Sequence, residues 1–269
     1  MKAAFETAEA TGFFGEREQQ RVWARTPISQ RLVLIRKLRH AIAARCHDFT
    51  AAIDRDPAET LVSEVLPLAD ACRYLERRAE TILKSKWLDG HGRPGWLSGT
   101  EIEIRREPFG IVLVIGPGNY PLFLPGVQAI QALAAGNAVV VKPGRGGLRS
   151  MELLAGCARA AGFPQGLFSV TGEDPDHARR AVEAGVDKVI LTGSHATGMS
   201  VMSQLASFGT PAVMELSGFD PVFVREGADL GLVIKAVRFG LQLNSGQTCI
   251  APKIVYASPS VALELQERF

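Results

Sequence analysis

From residue 110 onward short continuous apolar runs alternate with stretches of helical spacing. The runs are Gly-Ile-Val-Leu-Val-Ile (110–115), Asn-Ala-Val-Val-Val (137–141), Leu-Phe-Ser-Val (167–170) and Asp-Lys-Val-Ile-Leu (187–191). Helical stretches at 124–135, 148–161, 174–184 and 197–207 separate them. A strand that is apolar on both sides has to be covered on both sides, and a helix between consecutive strands makes them parallel. The stretch is therefore constrained to an α/β fold with a doubly wound parallel sheet. Further strands are predicted at 211–214, 221–224 and 253–257, with a helix at 229–242.

Residues 1–89 read as helical. Apolar residues recur at three and four around 16–25 and 28–46, as in Leu34, Leu38, Ala41 and Ile42, with arginines and Lys37 among them. Ser29 reads as an N-cap after Pro27, Asp56-Pro57 as the end of one helix, and 58–84 as a further pair broken near Pro67. Residues 89–100 are turn chemistry, and Glu101 to Arg105 alternates polar with apolar as a half-exposed strand. That segment reads as a connector or protruding hairpin.

Hydrophobic residues at 46% and charged residues at 22% fit a soluble globular chain of one large or two smaller domains. A formal charge of +2 is too balanced for nucleic acid or an anionic membrane as the main partner. Four cysteines (Cys46, Cys72, Cys157, Cys249) are far apart and without a metal-binding spacing, which fits reduced cytoplasmic thiols and no metal. The N-terminus lacks the order of a signal peptide, and no apolar run approaches the roughly 18 residues of a membrane span.

In parallel sheets ligands bind outside the carboxyl ends of the strands, and three loops at such ends are unusually specified. In Gly-Pro-Gly-Asn-Tyr-Pro (116–121) two glycines and two prolines hold Asn119, which is either a donor to a developing oxyanion or an Asn stabilising its own turn. Lys142 in Lys-Pro-Gly-Arg (142–145) is either a ribose or phosphate ligand or a surface lysine before a turn. Thr-Gly-Ser-His-Ala-Thr-Gly (192–198) opens a helix whose free N–H groups can meet an anion, while its His195 reads as a surface or capping residue. Cys249, after Gly-Gln-Thr, is a nucleophile or a small buried hydrophobe. Glu215 follows Pro-Ala-Val-Met, apolar surroundings that would suit a general base, or it simply ends a strand.

Six segments occur in the order and approximate spacing of the aldehyde dehydrogenase superfamily, which the chain resembles throughout. They are Glu-Pro-Phe-Gly-Ile-Val (107–112), residues 116–121, Ala-Ala-Gly-Asn-Ala-Val-Val-Val-Lys-Pro (134–143), Leu-Thr-Gly-Ser (191–194), Glu-Leu-Ser-Gly (215–218) and Gly-Gln-Thr-Cys (246–249). The resemblance implies a Rossmann-like cofactor domain built from N-terminal helices (1–89) and the sheet (107–213). It also implies a connector or oligomerisation hairpin at 90–106 and the start of an α/β catalytic domain at 214–269. Cys249 would add as thiolate to an aldehyde, Asn119 with the N–H of Cys249 would hold the oxyanion, and Glu215 would activate water. Lys142, Pro143, Arg145, Gly193, Ser194 and Leu216 would bind NAD or NADP. A homo-oligomer is implied for the full-length family form.

The chain also departs from that family. Gly118 stands where Trp is common, and Ser217 and Phe219 replace the usual Gly and Lys. Arg145 stands where an acidic residue usually contacts the ribose, which predicts that NADP is accepted, since an arginine attracts a 2′-phosphate. Family members continue well beyond the cysteine, so the sequence is expected to be a truncated member, doubtful in activity by itself. Two alternatives stay open: a catalytically dead nucleotide-binding module or half of a split enzyme, and a relative that passes the acyl group to coenzyme A.

Overall fold

The computed structural model describes residues 14–89, 91 and 93–269, so the helical reading of 1–13 and parts of the connector lie outside the described residues. The first helices are α1 (Phe14–Arg25), α2 (Ile28–Ala44) and α3 (Cys46–Ala52). Leu32, Ile35, Leu38 and Ile42 make the buried stripe of α2, at the three- and four-residue spacing that puts side chains on one helical face. Helix α4 (Pro57–Thr60) runs through a π turn (Leu61–Val65) into α5 (Leu66–Leu83).

Three expectations need correction here. Ser29 is not the N-cap: the Pro27 carbonyl already accepts from Gln30 and Arg31, so the helix starts at Ile28 with Ser29 inside its first turn. Asp56 does not end a helix but begins one, its carboxylate accepting from the N–H groups of Ala58 and Glu59, with Pro57 in the first turn where a missing N–H costs nothing. The break expected near Pro67 is the π turn just before it, and Pro67 sits in the first turn of α5.

The central sheet is formed by β3 (Ile111–Ile115), β4 (Ala138–Lys142), β5 (Phe168–Val170), β6 (Lys188–Gly193) and β7 (Ala212–Leu216), after the short strands β1 (Lys86–Leu88) and β2 (Ile102–Ile104). Its spatial order is β5-β4-β3-β6-β7, and every pairing is parallel. The connecting helices are α6 (Phe123–Ala134), α7 (Leu148–Ala161), α8 (Pro175–Glu183) and α9 (His195–Ala206). The chain moves outward from β3 through β4 to β5, then returns to β6 on the other side of β3. Right-handed crossovers therefore place α6 and α7 on one face and α9 on the other. The point where strand order reverses lies between β3 and β6. All five residues of β3 and of β4 are buried, as continuous apolar runs require.

The N-terminal helices join this sheet by capping the end of α6. Gln20 Nε2 donates to the Gly136 carbonyl at 2.9 Å, Trp23 Nε1 to Leu133 at 2.8 Å and Arg31 Nη1 to Ala134 at 2.8 Å. Carbonyls in the last turn of a helix have no partner within it. The carbonyls of Leu133 and Ala134, and that of Gly136 just beyond the helix, are taken here by distant side chains, which ties α1 and α2 to α6 and so to the sheet.

Beyond β7 the chain forms β8 (Asp220–Val224), α10 (Leu230–Gln242), a 3₁₀ turn (Leu243–Gly246), β9 (Pro252–Ala257) and α11 (Pro259–Arg268). β8 and β9 make a separate two-stranded parallel sheet. Val224, Leu230, Ile234 and Leu265 form a small cluster of their own, apart from the main core. Two elements escaped the sequence reading. β1 pairs antiparallel with β2 from Lys86↔Ile104 to Leu88↔Ile102, and α11 occupies the last residues.

Candidate active site

The carboxyl ends of β3, β4, β6 and β7 lie along one edge of the sheet, since Ile115 pairs with Lys142 and Gly193 with Leu216. A cleft of about 1100 Å³ opens there, and its walls include Asn119, Lys142, Arg145, Gly193, Ser194, Glu215, Leu216 and Cys249. Eight of the nine residues singled out in the sequence thus face one space. Pro143 is the exception: it is buried beneath its loop and does not line the cleft. His195 is exposed at the start of α9, outside the cleft wall.

Glycines let the loops approach. A Cβ on Gly144 would lie 2.2 Å from the carbonyl carbon and oxygen of Pro117, so the loops after β3 and β4 touch backbone to backbone. A Cβ on Gly198 would lie 2.6 Å from the Leu216 side chain. The first turn of α9 therefore receives Leu216 only because residue 198 has no side chain.

Asn119 is held from two sides. Its Nδ2 donates to the Gln247 carbonyl at 2.8 Å, and its Oδ1 accepts from the Tyr120 N–H at 3.0 Å. A carboxamide has two N–H donors, so one remains for a ligand. The bond to Gln247 joins the loop after β3 to the loop that carries Cys249, two residues further on. That second loop turns through three consecutive left-handed residues, Asn244 (φ 49°), Ser245 (φ 52°) and Gly246 (φ 73°). Asn tolerates this region better than other side-chain-bearing residues. Here Asn244 also bonds across the site, its N–H to Glu59 Oε1 at 2.8 Å and its Nδ2 to the carbonyls of Asn119 at 2.9 Å and Gln247 at 3.2 Å.

Behind Asn119 stand two residues that the sequence did not single out. Arg55 Nη2 donates to the Asn119 carbonyl at 2.5 Å, and its guanidinium lies 5.3 Å from the centre of the Tyr120 ring. Its Nη1 reaches Ser63 Oγ and Glu64 Oε1. Glu64, fully buried in the π turn, takes the N–H groups of Leu122 at 3.1 Å and Phe123 at 2.7 Å on its other oxygen. Burial pushes this carboxyl above the usual range, against the opposing pull of the Phe123 N–H and the Arg55 guanidinium.

The remaining groups divide by charge. Lys142 is only 8% exposed; burial holds its ammonium below the ordinary lysine range, while the Glu173 and Asp174 carboxylates act in the other direction. Glu173 accepts from the N–H groups of Gly146 and Leu148 and so occupies the start of α7. At α9 the Ser194 hydroxyl takes the Thr197 N–H and pairs with the Thr197 hydroxyl, leaving the first-turn donors of His195 and Ala196 without an intrahelical acceptor. Glu215 stands one residue before the end of β7, opposite Thr192, and is exposed on the cleft wall, so the burial expected from its apolar neighbours is not met. The reason is position: β7 is the edge strand of the sheet.

Cys249 is exposed in the cleft, whereas Cys72 is buried and its thiol is pushed up to about 12. Cys157 is also buried, and burial raises its thiol. Among the four free cysteines the one at the cleft is thus the exposed one.

The family model described as the aldehyde dehydrogenase family matches residues 11–269. The chain belongs to the aldehyde dehydrogenase family. It is 33% identical over 275 residues to a putative succinate-semialdehyde dehydrogenase [NADP(+)] of Mycolicibacterium smegmatis, covering 98% of this chain and 51% of that protein. Aldehyde dehydrogenase family 3 member B1 of Homo sapiens is 39% identical over 165 residues, 61% of this chain and 34% of that protein. The NADP-dependent glyceraldehyde-3-phosphate dehydrogenase of Bacillus halodurans, solved with NADP, superposes with a TM-score of 0.87 at 28% identity, covering 99% of this chain and 56% of that one. The chain spans about half the length of the curated relatives it matches.

Arg55, Glu64 and Asn244 were the functional-looking residues missed in the sequence. The one local signal was Asn-Ser-Gly (244–246), a run of residue types that accept left-handed backbone. Arg55 and Glu64 carry no local signal, because the loop they hold is some sixty positions away in the sequence.

Proposed function

We propose that this chain carries the reacting groups for NAD(P)-dependent oxidation of an aldehyde to a carboxylic acid. The observation that carries the reading is the Asn119–Gln247 bond, which ties the oxyanion donor to the loop of the cysteine. The sulfur of Cys249 adds as thiolate to the aldehyde carbon, and the negative charge gathers on the former carbonyl oxygen. The second Nδ2 hydrogen of Asn119 and the N–H of Cys249 are the donors for that oxygen. Glu215 accepts the proton of the water that later releases the acyl group from sulfur.

Residues at the cleft fit a nicotinamide dinucleotide. Lys142 offers a buried cation, the start of α9 offers free N–H groups, and the loop at Gly144 leaves room for backbone approach. The chemistry such a cofactor supplies when bound is acceptance of hydride. Lys142, Arg145, Gly193, Ser194 and Leu216 would hold it, and exposed Arg145 on the cleft wall suits a 2′-phosphate. We assign residues 1–89 and 107–213 to the cofactor domain, 90–106 to a connector, and 214–269 to a catalytic segment.

A second reading concerns how the catalytic segment is completed. Parallel strands are ordinarily covered on both faces, yet Phe223 and Tyr256 stack at 5.2 Å on the β8–β9 sheet while 72% and 50% exposed. This favours a complete site that needs further polypeptide against these strands, as in a split enzyme.

The test follows reduced-nicotinamide absorbance with a panel of aldehydes and both cofactors, beside Cys249→Ser. Turnover lost in that variant, with NADP bound no more than tenfold more weakly than NAD, is the expected result. Equal turnover in Cys249→Ser would end the reading, and NADP weaker by more than tenfold would end the role given to Arg145.

A further inference from the structure

The proposed reaction needs the free Nδ2 hydrogen of Asn119 aimed at one point in the cleft, and a side-chain amide is only as fixed as the peptide that carries it. The Gln247 carbonyl holds the amide end. The peptide is held from behind by a construction that the reaction scheme leaves unused. Arg55 spans it: Nη2 bonds the Asn119 carbonyl, the guanidinium carbon lies over the Tyr120 ring, and Nη1 rests on Ser63 and Glu64. Glu64 in turn takes the backbone N–H groups of Leu122 and Phe123 on its second oxygen. Residues 119–123 are thereby gripped at a carbonyl, a ring and two N–H groups by one Arg–Glu pair.

That pair is an expensive way to hold a loop. The side chain of Glu64 is fully buried and that of Arg55 only 11% exposed. Removing two charges from water costs more than a simple surface turn would require, and such pairs are best attested where they enforce one geometry. The carboxylate also sits in a π turn, a local widening that recurs at functional sites. Glu59 of the adjoining helix meanwhile bonds the N–H of Asn244, so the α4–π-turn segment grips both site loops at once.

The geometry points to Arg55, seated on Glu64, as the positioning residue that sets the oxyanion donor Asn119. The inference rests on the aldehyde-oxidising reading above and deepens it. Arg55 does not line the cleft; it acts through the Asn119 peptide. Its loss should therefore slow steps that build charge on a carbonyl oxygen and spare the nucleophilicity of Cys249.

Two reagents separate those effects without any cofactor. With p-nitrophenyl acetate the sulfur adds to the ester carbonyl, an oxyanion forms, and p-nitrophenolate leaves while the acetyl group stays on sulfur. With iodoacetamide the sulfur displaces iodide at a saturated carbon, and no oxyanion forms. Both are followed on the whole chain by absorbance and by mass of the Cys249 peptide. Arg55→Ala is expected to lower the acylation rate about 10- to 100-fold and to leave the alkylation rate within about twofold.

Should Arg55→Ala fail to fold, Arg55→Lys serves, because one ammonium cannot span both the Asn119 carbonyl and Glu64 as a planar fork does. It is expected to acylate at a rate between wild type and Arg55→Ala, or several-fold below wild type where the alanine variant is lost. Combined with Asn119→Ala, it should add nothing to the loss from Asn119→Ala alone, since both act through one donor. Unchanged acylation, an equal fall in alkylation, or additive losses in the double variant would each overturn the assignment. If wild-type Cys249 takes neither reagent faster than Cys72, the underlying cysteine chemistry fails first and the inference goes with it.

Discussion

At the scale of single residues, burial decides which polar groups can work. The Lys142 ammonium pays a desolvation cost that only carboxylates at 173 and 174 oppose, so it loses its proton below the usual lysine value. The sign for stability follows: the unfolded chain binds more protons than the folded one between the two values, so this group's penalty is relieved as pH rises. For ligand binding the sign is opposite, because a neutral amine no longer attracts phosphate. Nucleotide affinity, read by tryptophan fluorescence, should fall as pH is raised from neutrality towards the ordinary lysine value of about 10.4. In Lys142→Met it should start roughly tenfold weaker, the loss of about one charge-assisted contact, and stay flat over the same range. A wild-type curve as flat as the variant's would remove Lys142 from the binding site.

At the scale of elements, the site is assembled by loops that pass closer than side chains allow. Gly144 and Gly193 make a matched pair for testing this. An added Cβ at 144 meets the Pro117 backbone at 2.2 Å, whereas at 193 the nearest atom is 3.6 Å away, an ordinary contact. Gly144→Ala should lower unfolding free energy by about 1–3 kcal/mol, as overpacking does, and Gly193→Ala should stay within about 0.5 kcal/mol, as surface changes do. Urea unfolding of both variants checks this, and equal midpoints would deny the backbone contact its role. These loops were legible in the sequence because Gly and Pro punctuate them at strand ends. The β1–β2 pairing was not: Lys-Trp-Leu (86–88) is too short to show alternation, and its pairing partner lies beyond a turn-rich segment.

At the scale of the whole molecule, two units differ in how they are held. The main sheet is buried between helices, while β8, β9, α10 and α11 share a cluster of four buried apolar residues. Phe223, Phe239 and Ile250 of the second unit are each about two-thirds exposed or more. Local stability follows buried contact. Amide exchange followed by mass spectrometry should therefore show 220–257 opening at least about tenfold more readily than 111–115 and 138–142, a gap of some 1.4 kcal/mol. Equal protection of the two would contradict a weakly held second unit. Among the described residues no helix is long and apolar enough to cross a membrane.

The sequence by itself determined the parallel sheet and the loops at its strand ends that carry Asn119, Lys142 and Glu215, while the place of Cys249 beside them was only what the family resemblance implied. It could do so because apolar runs and helical spacing are local, and a doubly wound order brings successive strand ends to one edge. Only the tertiary structure decided what holds those groups: Arg55 and Glu64 behind Asn119, Asn244 bridging the loops, Glu173 on the start of α7, and exposure of Glu215 on an edge strand. Periodicity records which face of an element is apolar. It carries no record of which distant carbonyl a guanidinium will reach, because that depends on how packed layers settle against one another.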